Sequence, residues 1–112
     1  MNNLLQEDTI CALATGGGLS AIAVIRLSGK QAIEITNTIF SKDILSAKSH
    51  TMHFGTISDN TKIIDEVLIS IFKHGKSYTG EETVEVSCHG STFIQNKLLQ
   101  LFITQGCRMA TA

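Results

Sequence analysis

From Thr83 to Cys88 the chain alternates without a break: Val84, Val86 and Cys88 fall on one side of an extended backbone, and Thr83, Glu85 and Ser87 on the other. A segment of this kind belongs in a sheet with one buried and one wetted face, so the rest of the chain has to supply further strands and an apolar cover. Strands are expected at Asp8 to Ala14, a short apolar run between charges and glycines, and at Ala21 to Leu27, rich in Ile and Val. These two read as sheet neighbours. Thr51 to Ile57 alternates weakly and Ile63 to Phe72 is long and β-branched, with Asp59-Asn60 between them as the turn of a hairpin. Lys73 to Gly80 reads as a polar loop, and Cys107 to Ala110 as one last short strand.

Two segments change to helical period. Ser28 is placed to cap the first, with Gln31 three residues on completing a capping box. Its apolar stripe is Ala32, Ile35 and Ile39, flanked by Ile33 and Phe40, while Glu34, Asn37 and Thr38 are expected to point away. The second opens at Ser91, carries Ile94, Leu98, Leu101 and Phe102 at i, i+4, i+7, i+8, and is stopped by Gly106. The predicted order is β-β-α-β-β-β-α with a short final strand: an α+β layer of two helices on a mostly antiparallel sheet. Residues 1–7 are expected to be a flexible N-terminus and residues 8–112 a single domain, since 112 residues with 43% hydrophobic content suit one core and exclude a two-domain enzyme.

Charge and composition remove several function classes. Nine Lys plus Arg against ten Asp plus Glu leaves a net charge of −1, so no basic excess exists to hold a phosphate backbone, and direct nucleic-acid binding is not expected. Aromatic content of 5% without Trp supplies no platform for stacking unpaired bases. The apolar runs at Ala21 to Ile25 and Leu98 to Ile103 fall far short of the roughly 20 residues of a membrane span. The N-terminus has neither a cationic start nor an apolar core, so a cytoplasmic location is expected. Three cysteines, Cys11, Cys88 and Cys107, without CxxC spacing read as reduced, buried thiols.

Few residues are placed to do chemistry. Gly16 to Gly18 precede a strand-like segment and not a helix N-terminus, and there is no GxxxxGK[ST] or GxGxxG, so no nucleotide loop is present. Arg26 shares a strand face with Ile22 and Val24, where a guanidinium needs an anionic or carbonyl partner unless it sits at the strand end and reaches water. Glu85 is a lone carboxylate on the polar side of its strand, which a plain solvated face would also explain. Cys88 and His89 are consecutive on a strand and point to opposite faces, so they cannot share a proton as nucleophile and base. For the same reason His50 and His53 are not expected to form a metal site. His89-Gly90-Ser91 reads as a structural junction, the imidazole bonding backbone and Ser91 capping the helix. No catalytic and no metal-ligating residue is assigned.

Three stretches then carry a resemblance. Asp8-Thr9-Ile10-Cys11-Ala12-Leu13-Ala14-Thr15, Ala23-Val24-Ile25-Arg26-Leu27-Ser28-Gly29 and, above all, Ser77-Tyr78-Thr79-Gly80-Glu81-Glu82-Thr83-Val84-Glu85-Val86-Ser87-Cys88-His89-Gly90 resemble the N-terminal domain of the MnmE (TrmE) family of tRNA modification GTPases. The likeness runs in register from about Asp8 to the C-terminus. It departs from the family pattern at Gly16-Gly17-Gly18-Leu19-Ser20, where relatives usually carry proline, and at Ser91, where many have a further glycine.

The resemblance implies a domain that binds a tetrahydrofolate carrying a one-carbon unit (5-formyltetrahydrofolate or a related form). It also implies that the domain pairs with its own copy as a homodimer, and that it is similar to a half-unit of the folate-binding domain of the glycine-cleavage aminomethyltransferase. In the family's full-length proteins a helical domain and an inserted GTPase follow, the latter using GTP, Mg²⁺ and K⁺. Those proteins act with the partner MnmG on C5 of the wobble uridine of tRNA. None of that machinery is in these residues, and the chain alone is expected to be without GTPase activity. By position, the family's folate-contacting arginine and glutamate fall on Arg26 and Glu85, and a contacting lysine falls beyond Ala112. The rival reading is a pure dimerisation or interaction module of the same fold that does not bind the ligand.

Overall fold

The computed structural model describes residues 8–15, 21–74 and 81–110. The elements are β1 (Ile10–Leu13), β2 (Ile22–Gly29), α1 (Ala32–Ile39), β3 (Thr51–Asp59), β4 (Lys62–Lys73), β5 (Glu82–His89), α2 (Thr92–Thr104) and β6 (Arg108–Met109). This is the α+β order expected. Lys73 closes β4 instead of opening a loop. The expectations for residues 1–7, Gly16 to Ser20 and Ser77 to Gly80 lie outside the described residues.

One six-stranded sheet runs β3-β4-β5-β2-β1-β6. Every pairing is antiparallel except β1 with β6. The return of the chain after α2 along β1 demands that one parallel pair. Ala23, Ile25 and Leu27 of β2, Val67, Ile69 and Ile71 of β4, and Val84, Val86 and Cys88 of β5 point to one face and are buried. Both helices lie over that face: Ile33, Ile35 and Ile39 of α1 and Leu98, Leu101 and Phe102 of α2 complete a single core cluster. The other face of the sheet has no covering layer among the described residues.

The start of α1 differs from the expectation. Ser28 belongs to β2, Gln31 is the N-cap residue, and no local side chain caps the helix. The free N–H groups are served from a distance. Thr9 Oγ1 accepts from the Gln31 amide at 3.1 Å, and Glu82 Oε1, at the start of β5, accepts from the Ile33 amide at 3.3 Å. The chain can turn so sharply because Gly29 takes φ +143°, and a Cβ there would lie 2.7 Å from the Thr9 Cα. Asn37 does not simply point away, since its Oδ1 accepts from the Ile44 amide at 2.8 Å.

The second helix forms as the sequence predicts. Ser91 Oγ accepts from the Ile94 amide, and Gly106 at φ +122° ends the helix with the Cys107 amide returning to the Phe102 carbonyl at 2.9 Å. Gln95 joins its buried stripe, and its Nε2 has no hydrogen-bond partner among the described residues. In the β3–β4 hairpin Asn60 takes φ 57°, which its short side chain tolerates, and the register shifts between Ile57 and Ser58. The chain just after α1, at Phe40 and Ser41, packs against β3 at Gly55, where a Cβ would lie 2.5 Å from Ser41 Oγ and 2.7 Å from Phe40 Cζ.

Candidate functional site

Arg26 and Glu85 stand directly opposite each other in the β2–β5 register. The guanidinium places Nη2 2.8 Å and Nε 2.9 Å from Glu85 Oε2. The two residues singled out separately in the sequence are thus one another's partners. They lie on the uncovered face, because the buried side of β2 is Ala23, Ile25 and Leu27. The face that Arg26 shares with Ile22 and Val24 is therefore not core, Ile22 being 61% exposed. The two side chains are half-buried to exposed, and a pair of this kind contributes only about 0–1 kcal/mol. The fold does not need it, so the strand positions are free to be set by what the face meets.

The registers fix what surrounds the pair. Ser70 of β4 lies beside Glu85 and Ala12 of β1 beside Arg26, giving the row Ser70, Glu85, Arg26, Ala12 across four strands. Thr83 and Ser87 flank Glu85 along β5, and Ser28 flanks Arg26 along β2. Small side chains thus floor the area around two opposite charges. One row further, Leu68, Ser87 and Val24 follow, and Phe54 of β3 pairs Leu68. Here the face hollows into a mostly apolar cavity of about 330 Å³, lined by Ala21, Ile22, Phe54, Leu68 and Cys88 with Glu66, Ser87 and His89.

At the end of that cavity stands a pair the sequence reading missed. His89 Nδ1 is 2.7 Å from Asp65 Oδ1, and the His89 amide donates to Asp65 Oδ2 at 2.8 Å. The imidazole therefore bonds a buried carboxylate of the neighbouring strand β4 and not backbone, as its junction role had suggested. A signal was present: Asp65 has the same period-2 phase as Val67, Ile69 and Ile71, a carboxylate at an inward position that requires fixed donors. Cys88 turns inward while His89 is exposed, so they form no nucleophile and base. Burial, with the Asp65 charge adding to it, pushes the Cys88 thiol up to about 11.

All three cysteines are free and buried. Cys11 and Cys107 hydrogen-bond to one another, which holds the Cys11 thiol below its ordinary value and raises that of Cys107. His50 lies outside β3 at φ 64° and stacks edge-on to Phe72, whereas His53 meets Thr51 Oγ1 at 2.8 Å. Among the described residues no cluster of His, Cys, Asp or Glu is suited to a metal ion. No described helix is long and apolar enough to cross a membrane. A more polar hollow of about 260 Å³, between the end of α1 and the β3–β4 turn, contains neither Arg26 nor Glu85.

A family model described as the GTP-binding protein TrmE N-terminus matches residues 9–112. The tRNA modification GTPase MnmE of Flavobacterium psychrophilum is 56% identical over 113 residues, covering 97% of this chain and 24% of the relative. The proteins of that name from Bacteroides thetaiotaomicron and Enterococcus faecalis are 47% and 42% identical, each covering 95% of this chain and 24% of the relative. The chain thus spans about a quarter of the length of the curated relatives it matches. Matched by the family model over residues 9–112 and by curated relatives over nearly its whole length, the chain belongs to the TrmE N-terminal family, the N-terminal part of tRNA modification GTPases.

Proposed function

We propose that this domain binds a one-carbon tetrahydrofolate such as 5-formyltetrahydrofolate, and pairs with a second copy as the dimerisation unit of a tRNA modification GTPase. In the whole protein it would serve, with MnmG, the modification of C5 of the wobble uridine in the cytoplasm. The domain itself performs no catalytic step. The carrying observation is the meeting of Arg26 and Glu85, 59 residues apart, on the uncovered face among small side chains.

Their chemistry fits the ligand. A pterin ring presents adjacent N–H donors, and a carboxylate accepts such a pair in bidentate fashion. Arg26 takes only Oε2 of Glu85, and its planar fork suits a ring carbonyl or a carboxylate of the ligand. Calorimetric titration with 5-formyltetrahydrofolate tests the reading. Glu85→Gln keeps the shape but turns one acceptor into a donor facing the ring's donors. Affinity is expected to fall by about 2–3 kcal/mol, roughly 30- to 150-fold, with folding unchanged. Unfolding of the variant, with normal binding by what remains folded, would make Glu85 a strand residue only.

The dimer reading has its own support. Ile22, Met52 and Phe54 expose 61%, 63% and 57% of their surface on the uncovered side of the sheet, where a second copy can bury them. Sedimentation at tens of micromolar should give twice the 12.1 kDa of the chain. Dimerisation without any folate affinity would leave the interaction module as the correct account.

A further inference from the structure

We infer that Cys11 and Cys107 form an oxidative modification site, where a peroxide-class oxidant joins them in a disulfide that staples β6 to β1. Nearly the whole sequence separates the two, and the sheet brings them together. In the parallel register Ile10 stands beside Arg108 and Cys11 beside Met109, so Cys107 lies on the diagonal from Cys11 across adjoining chain segments. Both belong to the core beneath the helices, and their thiols hydrogen-bond to one another. The third cysteine is out of reach. Cys11 is level with Leu27 and, through it, with Val84, whereas Cys88 lies four residues further along β5, roughly 13 Å on and two strands over. A disulfide spans Cα atoms no more than about 7 Å apart.

Closing the bond requires a small movement, and the sheet determines which element gives. Diagonal neighbours on adjoining strands stand about 7–8 Å apart, at the upper edge of the disulfide range. β1 is held on both sides, by β2 and β6, whereas β6 is a two-residue strand at the end of the sheet. The Arg108 amide donates to the Thr9 carbonyl at 2.8 Å, the Ala110 amide to the Cys11 carbonyl at 2.9 Å, and Arg108 Nε meets Asp8 Oδ2 at 2.8 Å. Gly106, at φ +122°, gives β6 a pivot just before Cys107. The same opening admits the oxidant, because Cys11 is wholly buried and Cys107 is 5% exposed. The mutual hydrogen bond makes the thiols unequal, holding Cys11 below its ordinary value and raising Cys107, so Cys11 reacts first. With hydrogen peroxide the Cys11 sulfur takes one oxygen as the O–O bond breaks, and the departing hydroxide leaves as water with the thiol's proton. The Cys107 sulfur then attacks the Cys11 sulfur of the sulfenic acid, and its proton departs with the hydroxyl as a second water. Two thiols and one peroxide thus become one disulfide and two waters.

To test this, the reduced chain is treated with hydrogen peroxide under native conditions, alkylated in denaturant and digested without reductant. The expected product is a chain lighter by two hydrogens before alkylation, with the Cys11 and Cys107 peptides joined and Cys88 alkylated. Closing a loop of about 100 residues should raise Tm by roughly 10 °C or more, and dithiothreitol should reverse the rise. Cys107→Ala should leave Cys11 as a sulfenic acid that dimedone traps, with no rise in Tm. Asp8→Ala, which frees β6 from its ion pair, should speed bond formation about two- to fivefold. A bond that includes Cys88, a bond only between chains, or joining only in denaturant overturns the inference, as does no joining at all. A joined chain with unchanged or lowered Tm overturns the staple, and an unchanged rate for Asp8→Ala overturns entry of the oxidant by way of β6. Should Cys107→Ala fail to fold, the peptide map and Tm of the unaltered chain decide the matter.

Discussion

Gln95 offers the sharpest energetic test, because the expected sign opposes the usual effect of a core substitution. It is 4% exposed on the inner stripe of α2, one helical turn before Leu98, and its amide nitrogen finds no acceptor among the described residues. A buried, unpaired polar group costs about 1–3 kcal/mol, whereas a leucine of similar volume carries no such penalty and is at least as good a helix former. Gln95→Leu should therefore stabilise the domain by about 1–2 kcal/mol. For a chain of this length that is a rise of roughly 4–8 °C in Tm, using the lower end of the shift expected per kcal/mol in small domains. Urea unfolding should show a higher midpoint at constant slope. Gln95→Ala is the control: it removes the orphaned amide but opens a cavity, so the two effects oppose and the gain is lost. A loss of 1 kcal/mol or more for Gln95→Leu would refute the reasoning and mean that the amide nitrogen is bound in solution.

Other substitutions probe separate links. Gly55→Ala drives a Cβ to within 2.5–2.8 Å of Ser41 Oγ and the Phe40 ring, and should cost about 1–3 kcal/mol in urea titrations; an unchanged midpoint would mean the α1–β3 crossing is loose. Ser91→Ala removes the acceptor for the Ile94 amide and should cost about 1 kcal/mol, partly recovered by Ser91→Asp, which caps as well. The Cys88 thiol has a folded pKa raised to about 11, so the native state keeps its proton longer than the unfolded chain. The stability it contributes is fully present below the unfolded pKa of about 8.5 and is lost as pH rises through about 11. Cys88→Ala should flatten that alkaline decline, and iodoacetamide should label Cys88 of the folded domain far more slowly than that of the unfolded chain.

The apolar runs located β2 and β4, and the clean alternation from Thr83 to Cys88 located β5 and named its inward residues as well, because a strand's two faces follow from adjacent positions alone. The start of α2 was legible for the same reason, since the cap at Ser91 and its acceptor bond lie within four residues. The start of α1 was not. Its N–H groups are met by Thr9 and Glu82, 22 and 49 residues away in the chain, and Ser28, the local candidate, is still in the sheet. No window of sequence contains that competition.

The site divides along the same line. Residue type and face alone marked Arg26 as a charge in need of a partner and Glu85 as a lone carboxylate, and the family resemblance implied ligand contact for both. Only the β2–β5 register decided that each is the other's partner, with Ser70 and Ala12 completing the row. Asp65 carried a weak local sign, a carboxylate in phase with buried valine and isoleucine, but its acceptor role toward His89 came from the docking of β4 against β5, 24 residues apart. Local periodicity sets which way a side chain faces, since that is a property of consecutive dihedral angles. What it faces is set by which strands pair and in what register, and that follows from burying one common core beneath two helices.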